Sequence, residues 1–383
     1  MSPEFEIILK CFSFTGVIFL FEKTTGERKT KLFEKIKPFL TVLTEIAFIL
    51  LTVNTVRTSI TSGVEYKTTF KVTTITINVI LLLLRMALLK QKAAVLMTLS
   101  KLDAFRSEQQ NSIRKFLRNY SALACCCCFL FPLVLIIGTT TEILLNTDRY
   151  FSGDRISTCS PKMYCVIFIA FHSFIYLMHF LAFPGLVMTL LTIIYLSFVK
   201  TFRQHLGSMR YRLLESFSRE EISKALAVFA LAKKIHRGIE RSVQLFSFLS
   251  YVLIFSNFLQ LISSIVTSYM SDKIFIQIMY TYITLGWTIL WFISLTMCGS
   301  QIGKIEIFIK NMSQDIIAKN FGDEEEEHKK LVYINLFNTC ADINLRFTGW
   351  EMFVVDKKLL LTITGILVTY GVLFATEVSK MTN

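Results

Sequence analysis

The side chains with the most chemical purpose stand at the end of the chain. After Lys357 and Lys358 the sequence runs apolar for long enough to cross a bilayer. It nevertheless carries threonines at 362, 364, 369 and 376 and closes on a carboxylate, Glu377. A helix that only anchors has no use for hydroxyls, whereas one lining a water-filled conduit does. Ile366, Thr369, Leu373, Thr376 and Glu377 follow spacings of three and four, so they share one helical face. In a ring of copies this face would stack an apolar constriction at Leu373, a hydroxyl ring at Thr376 and a carboxylate ring at Glu377. Carboxylate rings concentrate cations, and apolar rings gate by excluding water. Plainer alternatives stay open: Glu377 as an interfacial carboxylate in an exposed tail, and the threonines bonded back to their own helix. Tyr370 points elsewhere, toward a neighbouring helix.

A second set sits in the middle of the chain. His172, Tyr176 and His179 are spaced four and three apart, on one face of a long apolar segment. Polar groups at that depth are costly unless partnered or wet. They fit a ligand pocket, or hydrogen bonds between helices. Asn257 and Gln260 share a face further on, and Tyr282 and Trp287 offer stacking surface. Aromatic plates with amide and imidazole groups suit a sugar, and suit a bitter alkaloid or an amine nearly as well. Phe168, Phe171, Phe174 and Phe183 read as lipid-facing or core residues. The histidines are too few for a metal site, and no cofactor is expected. There is no Gly-rich phosphate loop, no His-Glu-x-x-His and no intramembrane carboxylate pair, so an enzyme is not expected. Glu45 and Glu142, the isolated acids of the apolar segments, can snorkel to the interfaces.

The elements that must position these residues follow from composition. Of 383 residues 53% are hydrophobic, with 35 Phe against 5 Pro. A mean hydropathy of +0.54 is too apolar for a soluble protein of this length. Apolar stretches of about 20 residues, the length that spans the hydrocarbon, recur. The expected fold is an all-α integral membrane protein with seven transmembrane helices, near 38–58, 68–89, 119–145, 163–199, 243–268, 274–300 and 359–376. The fourth is too long for one crossing, so its end should project beyond the membrane. A net charge of +13 could suit nucleic acid, but its distribution argues otherwise. Residues 1–37, 90–118, 200–241 and 301–358 hold 7, 7, 10 and 8 Lys or Arg; residues 61–71, 146–162, 269–273 and those after 376 hold 2, 3, 1 and 1. This alternation is a topology signal. The positive-inside rule puts the N-terminus in the cytoplasm and the C-terminus outside.

Four regions follow: a cytoplasmic segment, 1–37, with an amphipathic helix lying at or dipping into the membrane; a six-span bundle, 38–300, with cytoplasmic helical extensions at 200–242; a cytoplasmic loop and anchor helix, 301–358; and the seventh helix with a short outside tail, 359–383. Residues 5–21 are apolar, but Lys10 interrupts them and no small-residue cleavage site follows. Ser218-Arg219-Glu220-Glu221 is a capping box, so a helix should start there and run into the fifth span. Its stripe is Ile222, Leu226, Phe229 and Ala230; residues 328–346 repeat the pattern with Leu331, Ile334, Phe337, Asn338 and Ala341, and the fourth helix adds Leu206, Met209, Leu213 and Phe217. These three amphipathic helices can bury their stripes together below the membrane or against other subunits, around a solvated acidic run, Asp323 to Glu327. Cys125 to Cys128 suit packing within a span, or palmitoylation near its boundary. Cys159 and Cys165, near an outside loop, leave a bridge open.

Asp148-Arg149-Tyr150 follows the third span, where rhodopsin-like G-protein-coupled receptors carry the same tripeptide. Here the charge distribution puts it outside, and the seventh span has no proline. Such a receptor, without its own conductance, is one rival; a secondary transporter is another, although no internal repeat supports it. Sequons at Asn119 and Asn311 fall on the cytoplasmic side and should stay unglycosylated.

The residues around the last span resemble a known signature. Phe347-Thr348-Gly349-Trp350-Glu351-Met352-Phe353-Val354-Val355-Asp356 leads into Leu359-Leu360-Leu361-Thr362-Ile363-Thr364-Gly365, and Thr369-Tyr370 precedes Thr376-Glu377. This is similar to the C-terminal motif of arthropod gustatory receptors, which ends Thr-Tyr, five apolar residues, Gln-Phe. Thr376 and Glu377 replace the Gln-Phe pair, which in that family lies at the extracellular constriction; the gate chemistry should differ, toward stronger cation selectivity. The resemblance implies a ligand-gated, non-selective cation channel opened by a small extracellular tastant. It implies a homotetramer, or a hetero-oligomer with related subunits, in the plasma membrane of chemosensory neurons. The seventh helices would surround the pore, each subunit would hold a ligand pocket in its outer half, and the cytoplasmic ends of helices four to seven would anchor the subunits.

Overall fold

Residues 3–14 show how the core is assembled. A computed structural model describes residues 2–17, 19, 31–61, 68–106, 111–145, 162–266, 275–320, 331, 334–335 and 345–382. Pro3 opens α1 (Pro3–Phe14), where its missing N–H would have been unbonded anyway. Phe5, Ile8, Leu9 and Phe12 recur at helical spacing, and all are buried. The helix therefore dips into the bundle, against α4 (Asn111–Leu145) and α6 (Phe183–Glu215). Its one buried acid, Glu4, pairs with Arg106, which follows α3 (Thr68–Phe105). Both side chains are 0% exposed. Arg106 also donates to Ser197 of α6, and Ser121 of α4 donates to the Glu4 carbonyl at 2.9 Å. One ion pair thus ties α1 to three other segments.

Among the described residues five helices are long and apolar enough to cross a membrane. They are α3, α4, the continuous helix formed by α5 (Lys162–Leu177) and α6, α7 (Arg219–Val266) and α8 (Phe275–Asn320), and they match the second to sixth expected spans. The first and seventh expected spans fall on α2 (Lys31–Thr61) and α9 (Lys357–Thr382). α5 (Lys162–Leu177) enters α6 through a π-helical turn, Met178–Ala182, closed by a bond from Phe183 N–H to the Met178 carbonyl. Pro184 explains the turn: it has no N–H for the Phe180 carbonyl and its ring crowds that oxygen, so the helix widens by one residue. From His179 to Val199 every residue is buried. This is the central post of the bundle, apolar on all sides as a surrounded helix must be. α3 and α7 pack along each other beside it.

Arg85 on α3 is also buried. It donates through Nε to Glu45 of α2 at 2.6 Å and through Nη2 to the Thr15 carbonyl at 2.8 Å, with its guanidinium 4.2 Å above Phe48. Glu45 therefore has a buried partner instead of snorkelling. Gly16, at φ 84°, makes the turn that delivers the Thr15 carbonyl; a Cβ there would stand 3.0 Å from Arg85 Nη2.

The ends expected on the cytoplasmic side continue as helices. α7 starts at Arg219, with the Glu221 N–H donating to Ser218 Oγ at 3.3 Å. The box is only half made. The Glu221 carboxylate turns to Arg212 (3.1 Å) and Lys224 (2.8 Å), and the Ser218 N–H donates to Ser216. Ile222 and Phe229 of the expected stripe are buried, together with Ala225, Ala232, Ile235 and Ile239; Leu226 is half-buried and Ala230 is exposed. Leu206, Met209 and Leu213 of α6 are buried, while Phe217 lies past the helix end. α8 does not stop near 300. It runs on to Asn320 and buries Ile302, Ile305, Ile309, Met312 and Ile316 at alternating spacings of three and four. Of the stripe expected at 328–346, Ile334 is buried and Leu331 exposed; Phe337, Asn338 and Ala341 lie outside the described residues. So do the acidic run, the 148–150 tripeptide, Cys159 and the Cys165 side chain. Cys125 and Cys128 are buried, and Cys126 is exposed.

Removing one member of a buried pair leaves a charge without compensation, at about 3–5 kcal/mol. Arg106→Met should therefore lower the melting temperature of the detergent-solubilised protein clearly, and adding Glu4→Gln should restore most of the loss. An unchanged melting temperature in the single variant would show that α1 is not docked.

Candidate functional site: the terminal helix, its clamp and an aromatic group

Asp356 sets the start of α9 by accepting the Leu359 N–H at 2.9 Å, an N-cap. Leu359, Leu360, Ile363 and Leu367 then pack against the core, on α7 and α8. Past them the helix meets α7 at Gly371, where a Cβ would lie 3.8 Å from Ile262. The other side of α9 is bare in the protomer, with Leu361 70% and Leu373 62% exposed. Ile366, Thr369, Leu373 and Thr376 all lie on this uncovered side, and Tyr370 is half-buried. The Glu377 side chain is outside the described residues. The Thr362, Thr369 and Thr376 hydroxyls donate to the carbonyls of Lys358, Gly365 and Leu373, at 2.9, 2.9 and 2.7 Å. This satisfies the donors without covering the oxygens, which can still accept from water.

The lead-in to α9 forms a clamp. β1 (Thr348–Gly349) and β2 (Phe353–Val354) pair antiparallel, Thr348 opposite Val354 and Gly349 opposite Phe353. A Cβ on Gly349 would run into the Phe353 ring. The loop places Trp350 at φ 49° and Glu351 at φ 60°, left-handed conformations that cost non-glycine residues of order 1–3 kcal/mol each unless their surroundings hold them. Several contacts hold them here. Met352 N–H donates to Gly349 at 2.9 Å, Trp350 N–H to the Gln244 carbonyl at 3.2 Å, and Val355 N–H to Phe347 at 2.8 Å. Glu240 of α7 accepts both the Thr348 N–H, at 3.3 Å, and its hydroxyl, at 2.5 Å. Phe347 is buried, stacked on Tyr195 of the central post at 4.0 Å and beside His236. His236 bonds the Arg346 carbonyl at 3.1 Å. Val355 fills the space over Gly299 of α8. The start of α9 is thus bolted to α6, α7 and α8.

The expected ligand-binding residues divide. Tyr176 stacks on Phe180 at 4.1 Å and faces the Tyr280 hydroxyl of α8. His179 lies in the π turn, wholly buried, stacked on Phe48 at 4.7 Å. Neither of its ring nitrogens has a hydrogen-bond partner among the described residues. Gln260 donates to Thr74 of α3 at 3.2 Å, and Asn257 is buried one turn earlier. His172 and Tyr282 are exposed. Trp287 is buried against Gly185, where a Cβ would stand 3.4 Å from its Nε1. Tyr176, His179, Phe180 and Tyr280 thus form one aromatic group, and Gln260 and Trp287 contact other helices.

Sequence reasoning missed Glu240 and Arg85. A lone carboxylate a turn before a span, and an arginine inside one, were the available signals. Burial pushes the Glu240 carboxyl up to about 7, against the bonds from Thr348, and Glu351 adds repulsion. In the unfolded chain it would ionise near 4.5. Between these values the folded protein keeps a proton that the unfolded one has lost. Its contribution to stability is therefore full below about 4.5 and lost as pH rises through about 7. Glu240→Gln keeps an acceptor for Thr348 and should flatten the fall in melting temperature across that window; an unaltered slope would remove Glu240 as its source.

No protein-family model matches the sequence, and no curated relative matches it. The architecture does have matches among solved structures. One is the insect olfactory receptor OR5 from Machilis hrabei, with TM-score 0.66 and 12% identity over 96% of this chain and 96% of that one. Another is the same receptor in complex with eugenol, with TM-score 0.64 and 13% identity over 97% of each chain. At such identity the likeness is one of fold: over nearly its whole length this chain has the all-α, multi-helix membrane architecture of an insect olfactory receptor.

Proposed function

We propose that the chain is a subunit of a chemosensory, ligand-gated, non-selective cation channel, with four subunits placing α9 around a central pore. The observation that carries this reading is α9 itself. It is packed on one side and bare on the other, and the bare side is the one with the hydroxyl stripe and the apolar position Leu373. The likeness in fold to an olfactory receptor supports it, and the terminal Thr369-Tyr370 motif favours a taste-type member. The ligand is a small molecule with an apolar body and a polar group. It enters from outside and meets Tyr176 and His179, whose bare ring nitrogens suit a hydrogen bond; the eugenol-bound relative is a precedent for such a guest. Asn257, Gln260, Tyr282, Trp287 and His172 belong to more remote parts of the same outer half. Better fit to one bundle geometry shifts a two-state equilibrium, and the clamp holds the inner end of α9 while its outer end moves.

Currents recorded from cells expressing this chain, against sugars, bitter compounds and amines, test the reading directly. Glu377→Lys should cut the cation permeability of ligand-evoked currents several-fold, and unchanged selectivity would refute a carboxylate ring. An epitope placed after Asn383 should bind antibody on intact cells. Labelling only after permeabilisation would reverse the orientation.

A further inference from the structure

The cytoplasmic side carries a groove that neither the pore nor the pocket uses. It lies between the inner end of α3 and the inner part of α7, encloses about 430 Å³, and is lined by Lys101, Lys233, Lys234, Arg237 and Arg241, over a floor of Ala230 and Gly238. No carboxylate lines it. A Cβ on Gly238 would meet nothing within 4 Å, so the floor is open. All five cations are exposed, and none has an ion pair among the described residues.

The positive-inside rule accounts for basic residues on this side, but not for their convergence. Lys233, Arg237 and Arg241 repeat at intervals of four on one helical face, where like charges repel and destabilise the helix. Two turns earlier the same helix does the opposite, pairing Glu220 with Lys224 at 2.8 Å. The ladder is about 12 Å long at the helical rise. Its outer rung, Arg241, is two residues short of the expected membrane boundary, and its inner rungs hang below. Its size is within the usual range for small-molecule sites, roughly 300–1,000 Å³. A ladder of unpaired cations just inside the membrane, with a cavity of that size, matches a headgroup that carries several phosphates on a lipid.

We propose that this groove binds a polyphosphorylated inositol lipid of the cytoplasmic leaflet, with Lys101 and Lys234 on opposite walls and the Lys233, Arg237 and Arg241 ladder along the phosphates. Lys233, Arg237 and Arg241 also line an adjoining cavity of about 470 Å³ whose other wall is Glu240, Arg346, Thr348 and Glu351. That wall is the clamp on α9. Occupancy of the groove therefore bears on the bolt of the terminal helix, through side chains common to both cavities.

The test needs neither conduction nor orientation, so its outcome is separate from that of the channel reading. The full chain in neutral detergent is titrated with short-chain phosphatidylinositol bisphosphate, and binding is followed as thermal stabilisation. The expected result is saturable stabilisation. Charge-assisted bonds to phosphate are the strong ones, so Lys233→Gln with Arg237→Gln should weaken binding on the order of tenfold or more. Lys101→Gln, on the other wall, should weaken it independently. Arg203→Gln with Lys304→Gln, exposed cations elsewhere on the same side, should leave it unchanged. Equal weakening by the control pair, no saturable binding, or equally tight binding of short-chain phosphatidylserine would overturn the site. Soluble inositol trisphosphate binding as tightly as the lipid would overturn its lipid source.

Discussion

A charge inside an apolar bundle must have a partner, and two arginines impose that constraint here. Arg85 and Arg106 are both buried, and the N-terminal segment answers both, Arg106 through the Glu4 carboxylate and Arg85 through the Thr15 carbonyl. α1 is for that reason an interior element. The pair at Glu4 brings the end of α3, the start of α4 and the middle of α6 to one point. The pair at Glu45 joins α2 to α3. Apolar packing alone discriminates poorly among helices that lipid would solvate equally well. The two pairs are directional, and they select this arrangement over other packings of the same apolar surfaces.

The same division of labour recurs at the other end of the chain. The C-terminal parts of α6 and α8 and the N-terminal part of α7 bury regular apolar stripes and make a base. The hairpin before α9 sits on that base through a few specific contacts: Glu240 to Thr348, Gln244 to Trp350, Phe347 on Tyr195, Val355 over Gly299. The base holds two consecutive residues in left-handed conformations that neither would choose alone. α9 leaves this fixed point packed on one side and uncovered on the other, with Ile366, Thr369, Leu373 and Thr376 exposed. Position is determined at the root of the helix.

What the sequence disclosed and what it hid divide along physical lines. Span positions and the start of α7 at Ser218 were legible because they depend on local hydropathy and local capping. The bare face of α9 was legible because three-and-four spacing is a property of one helix. The pairing of Glu45 with Arg85 and of Glu4 with Arg106 joins residues 40 and 102 positions apart, and no local pattern encodes that choice. On α7, Ala225 and Ala232 read as neutral in sequence and are nevertheless buried on the same stripe as Ile222 and Phe229. The extension of α8 could have been read from Ile302, Ile305, Ile309, Met312 and Ile316, which continue a helical period past the span. For the outer residues, composition suggested a single pocket. Which helix each side chain faces depends on rotation about its own axis, and that was set by partners the sequence did not name.

The widened turn at Met178–Ala182 holds one surplus residue in the middle of the longest helix. Below it the post is gripped on every side; above it α5 is partly exposed. One residue corresponds to roughly 100° of rotation and 1.5 Å of rise. Were the turn to tighten to ordinary α geometry, the segment above would swivel by that amount, carrying Tyr176 off Phe180 and away from Tyr280, while the post below stayed still. The proline that keeps the turn open thereby sets the rotation of the upper segment relative to the post below it.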